Sequence, residues 1–148
     1  MWHRSVAGTG LVLLGLGLAT VSGSNAADMA VGFSWKGIEG CSGGGISPGF
    51  TVMNAPNGTR TLAFSLEMLD KRDRVERELG GSAVPYPVNG VIPAGTVFTN
   101  APCNPAQYRW TVVARDAQGR QLGTAQITSA FPYNGRPASA STGQNAAF

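Results

Sequence analysis

Histidine is the first shortage. The chain has one, His3, so nothing from residue 27 onward carries an imidazole. Ser-His-Asp and Cys-His catalysis therefore lack their base, and His-ligated zinc lacks its ligands. A general base near neutral pH would have to be a perturbed carboxylate, Lys or Tyr. Charge is also scarce. Asp, Glu, Lys and Arg make up 13% of 148 residues, about half the usual share. That disfavours a coiled coil, a charged helical bundle or a polyelectrolyte tail. The formal net charge is +3, with one unit from Arg4, and no basic stripe carries interleaved aromatics. Nucleic acid is thereby excluded as a partner. What the chain does hold is 21 Gly and 9 Pro among 43% hydrophobic residues. This is the composition of a turn-rich β protein, at the length of one domain.

Residues 1–26 read as a secretory signal. Arg4 supplies the positive start, Leu11-Val12-Leu13-Leu14-Gly15-Leu16-Gly17-Leu18-Ala19 the apolar core, and Ser24-Asn25-Ala26 the small residues before a cut at Ala27. The apolar run is short of the roughly 20 residues a membrane-spanning helix needs. The expectation is a chain exported to the periplasm or secreted, with no membrane span after cleavage. In that setting the paired count of Cys41 and Cys103 favours a disulfide.

Strands are legible by alternation. Val31 to Trp35, Phe50 to Met53, Leu62 to Met68, Val97-Phe98, Tyr108 to Ala114 and Gln121 to Thr128 all read as extended. Asn57-Gly58 and Asp116-Ala117-Gln118-Gly119 read as tight turns. Gly37 to Gly49 is a glycine-dense loop. The run Asp70 to Leu79 differs: it is dense in both charge signs and rich in helix formers, so it reads as a short exposed helix or as a solvated charged loop. Residues 134–148 are small, polar and aperiodic, which predicts a disordered tail after a domain over 27–133. About seven short strands at this spacing predict an all-β sandwich with at most a short helix.

Three blocks then line up in order: Ile46-Ser47-Pro48-Gly49-Phe50 with Asn54 to Leu62; Leu69-Asp70 with Gly80-Gly81; and Pro102-Cys103-Asn104-Pro105 with Tyr108-Arg109-Trp110-Thr111-Val112 and Ala114-Arg115-Asp116. Together with Phe131-Pro132 they resemble the phosphatidylethanolamine-binding proteins in their bacterial Raf-kinase-inhibitor-like branch, over roughly residues 33–132. The resemblance implies a Greek-key β-sandwich with a small anion-accepting pocket at one end, and binding or inhibition rather than turnover. It carries Asp70, Pro102 and Tyr108 over as pocket residues.

The departures from the family pattern bear on the ligand. Met68 stands at the family's first aspartate, Arg72 at its proline and Leu79 at the His before Gly-Gly, while the later His is Ala106 or is lost in a shortened loop. Arg72 is the candidate replacement cation, or else one member of a charged loop. Asp70 is a ligand contact or a strand-end cap. Tyr108 and Trp110 fall on the core-facing set, with the Tyr108 hydroxyl placed to reach the pocket. No cofactor or metal is implied. The expected partner is a small anionic or lipid-headgroup ligand, or a protein. Two other readings remain: an interaction protein without a ligand, docking through the charged 70–79 loop, and an enzyme with Glu39, Glu67 and Asp116 as carboxylates by default. No motif supports the last.

Overall fold

The computed structural model describes residues 28–41, 47–136 and 138–141. The signal reading at 1–26, residues 42–46 of the glycine-dense loop and the tail beyond Ser141 lie outside the described residues. Strands occur at β1 (Ala30–Phe33), β2 (Phe50–Met53), β3 (Thr61–Leu69), β4 (Val75–Pro85), β5 (Val91–Ile92), β6 (Ala106–Arg115), β7 (Gln121–Phe131) and β8 (Ser139–Ser141). They form two sheets, ordered β1-β2-β5 and β4-β3-β6-β7-β8. Every pairing is antiparallel. No helix occurs among the described residues, and none is long and apolar enough to cross a membrane.

Alternation decides the faces. Leu62, Phe64, Leu66 and Met68 of β3 are buried, as are Tyr108, Trp110, Val112 and Ala114 of β6. Val31, Phe50, Val52 and Ile92 face them from the smaller sheet and join one core cluster. Successive side chains of a strand point to opposite faces, so each sheet puts one apolar row inward. The rings interlock across the gap: Phe50 lies 4.6 Å from Phe64 and 4.9 Å from Trp110 between centroids. The protein is thus an all-β sandwich. A disulfide joins Cys41 to Cys103, as the paired count predicts.

Three local expectations are corrected. The charged run after Asp70 is neither helix nor loop throughout, because Val75 onward is β4. This strand lies at the edge of its sheet, pairs only with β3, and exposes Val75 to Glu78. Charge on an edge strand opposes pairing with another chain, so the residues that read as a solvated helix face serve that edge. Val97-Phe98 is not a strand. Val97 is buried, while Phe98 is exposed and its N–H donates to the Ser82 hydroxyl at 2.9 Å. Finally, Ser139–Ser141 adds a short strand against Gln126–Thr128 of β7, where the sequence predicts disorder.

Two hairpin turns share one construction. In the β3–β4 turn, Asp70 Oδ1 accepts the Arg72 and Arg74 N–H groups at 2.7 and 3.0 Å, and Oδ2 accepts Arg74 Nε and Nη2 at 2.9 and 2.7 Å. In the β6–β7 turn, Asp116 Oδ1 accepts the Gln118 and Arg120 N–H groups, both at 2.9 Å, and Oδ2 accepts Arg120 Nε at 2.7 Å. An aspartate bonding the backbone ahead of it, with Arg four residues on, fixes each reversal.

Both carboxyls are held below the ordinary aspartate range. For Asp70 the Arg74 backbone N–H and then its guanidinium dominate. For Asp116 desolvation pushes up, but the Arg120 and Gln118 bonds outweigh it. A depressed folded-state pKa contributes stability that is fully present above the unfolded value, about 3.9. That contribution is lost as pH falls through the lower folded values. Thermal melts from pH 7 to pH 2 should therefore show Tm falling below about pH 4. An Asp70→Asn/Asp116→Asn variant should start lower at pH 7 and fall less on acidification. Equal acid slopes for both proteins would contradict the assignment.

Candidate functional site

The site is built by the irregular part of β4. The register pairs Leu66 with Gly80 but Glu67 with Glu78, and Met68 with Arg77 but Leu69 with Val75. Leu79 and Glu76 are the extra residues of two bulges. A bulge re-aims side chains at a sheet edge. Here it turns Leu79 inward, to 5% exposure, in a strand whose neighbouring residues are exposed. The glycines that follow are required. Gly80 has φ +86°, and a Cβ on Gly81 would run into the Phe64 carbonyl.

Beyond the bulge the inner face carries a cross-strand row: Arg77 opposite Met68, Met68 opposite Tyr108, Tyr108 opposite Ser129. The row borders a cleft of about 210 Å³, lined among others by Met68, Arg77, Leu79, Asn100, Cys103 and Tyr108. The loop opposite β4 is held on both sides. Asn100 N–H donates to the Leu79 carbonyl at 2.8 Å, and Cys41 N–H donates to the Pro102 carbonyl at 3.3 Å beside the Cys41–Cys103 bridge. The Tyr108 hydroxyl donates to the Asn104 carbonyl at 2.8 Å. Burial pushes its phenol above the ordinary 10, so at neutral pH it stays a neutral donor already engaged. Arg77 makes no side-chain hydrogen bond or ion pair with the described residues. It is the cation the cleft offers.

The sequence-derived site residues separate under this geometry. Tyr108 lines the cleft, but its hydroxyl is spent on Asn104. Pro102 is buried behind the cleft wall. Asp70 and Arg72 belong to the β3–β4 turn. Asp70 has every carboxylate lone pair directed at Arg72 and Arg74, and it borders a second cleft lined also by Leu69 and Lys71. Of the two roles the sequence leaves open to Asp70, the capping one is occupied. Cys103, half of the disulfide, supplies part of the wall. Arg77, which the sequence does not single out, also lines the cleft. Counting from the Asp70–Arg74 turn, a regular hairpin would set Glu76 opposite Met68; the bulge, which no local signal marks, brings Arg77 there instead. Two of the three default carboxylates are engaged in separate places. Glu67 binds Arg109 Nε and Nη2 at 2.9 and 2.7 Å on the outer face, and Asp116 is in its turn. Among the described residues no group of three or more His, Cys, Asp or Glu is placed to hold a metal.

No family model, curated protein or solved structure matches the chain.

Proposed function

We propose that this chain is an exported binding module of the phosphatidylethanolamine-binding type, whose inner-face cleft takes a small ligand in a binding or inhibitory role. The observation that carries this reading is the meeting of residues 68, 79, 103 and 108 on one cleft. Three of these are the positions that the motif resemblance assigns to, or replaces in, the family's pocket. Export to the periplasm or the exterior is supported by the signal-like residues 1–26 and by the Cys41–Cys103 bridge, which fits an oxidising compartment.

The lining selects the ligand. Met68 and Leu79 offer no charge and no proton, and Arg77 stands next to Glu78. A dianion entering here would lose hydration against an apolar wall with one counter-charge to replace it. The ligand that fits is neutral or singly charged, with an apolar body against Met68, Leu79 and the Tyr108 ring. Calorimetric titration with inorganic phosphate and with glycerophosphoethanolamine tests the loss of anion affinity. Neither should give a tight, saturable heat. Saturable micromolar binding of phosphate would overturn the reading, since it needs donors that positions 68 and 79 do not have.

A further inference from the structure

The geometry points to a second ligand site, on the outer face at the same end of the large sheet, that takes a small zwitterion bearing an ammonium, a carboxylate and an apolar side chain. The cleft there measures about 660 Å³. Its floor is apolar, with Leu69, Pro105, Ala130 and Phe131 among its residues. Leu69 is 4% exposed yet stands apart from the core cluster. It is therefore an apolar side chain buried outside the sandwich interior, against the structure that borders this cleft.

Charge defines the occupant. Three ionisable groups line the cleft: Asp70, Lys71 and Glu76. Asp70 is saturated by Arg72 and Arg74. Lys71 and Glu76 are not: neither side chain makes a hydrogen bond or ion pair with the described residues. Glu76 is the unpaired residue of its bulge, set between Val75, opposite Leu69, and Arg77, opposite Met68. The bulge thus brings Glu76 to the outer cleft while Arg77 serves the inner one. An ammonium and a carboxylate on one cleft, each without a partner among the described residues, complement a ligand with the reverse pair. Lys71 receives the ligand carboxylate, Glu76 its ammonium, and Leu69 with Pro105 and Ala130 its side chain. A free apolar amino acid and a short apolar peptide share this chemistry.

The test titrates the purified protein with L-leucine, with Leu-Leu, and with N-acetyl-leucinamide, which keeps the side chain and has neither charge. At least one of the first two should bind saturably, the tighter identifying the source as free amino acid or peptide, and the capped compound should not. Lys71→Gln and Glu76→Gln should each weaken binding by about tenfold or more, the usual scale for losing one hydrogen bond to a charged group. Both side chains are exposed, and unchanged circular dichroism verifies that the variants fold. Absence of saturable binding for both charged ligands, equal binding of the capped one, or affinity indifferent to both substitutions would overturn the proposal. Phosphate affinity at the inner cleft is a separate measurement, so either reading can fail alone.

Discussion

Trp110→Ala should lower the unfolding free energy by about 3–5 kcal/mol, the range for deleting a large buried aromatic. Trp110 is 0% exposed, at the centre of the ring cluster. Its centroid lies 4.9 Å from Phe50, 6.2 Å from Trp35, 6.3 Å from Phe64 and 6.5 Å from Phe33. Phe33 and Phe50 come from the small sheet and Phe64 from the large one, so the cavity left by Ala would open in the layer that joins them. Against a typical total of about 5–15 kcal/mol for a domain, that loss approaches the limit of folding. Urea denaturation should show the midpoint dropping with little change in slope. Trp110→Phe should cost much less. The indole Nε1 of Trp110 has no hydrogen-bond partner among the described residues, so Phe removes a buried donor that is already unsatisfied. An Ala variant within about 1 kcal/mol of the parent would contradict the packing described, since that shift is typical of an ordinary substitution.

Replacing both half-cystines, Cys41→Ser with Cys103→Ser, should cost about 4 kcal/mol on the chain-entropy account. The separation of 62 residues encloses β2 to β5, so without the bridge the denatured chain regains the freedom of a long loop. The same double variant also unties the loop that carries Cys103 in the wall of the inner cleft. Hydrogen exchange should therefore rise at the amides of Cys41 and Asn100, whose bonds to Pro102 and Leu79 the bridge keeps in register. Unchanged denaturation midpoints with and without reductant would remove the bridge from the account of stability.

Where strands alternate without interruption, the pattern alone was enough to find them. Leu62, Phe64, Leu66 and Met68, and then Tyr108, Trp110 and Val112, mark β3 and β6 because both strands are central and one face of each meets the core. β4 was hidden for two physical reasons. It lies at the edge, so most of its side chains face water and gain nothing from being apolar. Its bulges also break the period: the inward positions run Arg77, Leu79, Ser82, Val84, with one step of three where a regular strand has two. A charged run with good helix formers and no clean alternation resembles an exposed helix for those reasons. The same break decides which arginine reaches the inner cleft. Arg72 lies in the Asp70–Arg74 turn at the hairpin tip, and the register across the bulge sets Arg77 opposite Met68. β8 is illegible because Ser139-Ala140-Ser141 is three residues long and carries no apolar alternation.

The edges of this molecule have a bearing on how it tolerates crowding. β5 has two residues, β8 three and β1 four, too little ribbon for a neighbour to zip onto. β4 is long, but Glu76, Arg77 and Glu78 stand along it, and the 98–100 segment already occupies hydrogen-bonding groups at Leu79 and Ser82. Among the described residues, copies meeting at high concentration find no long bare edge from which a fibre could grow.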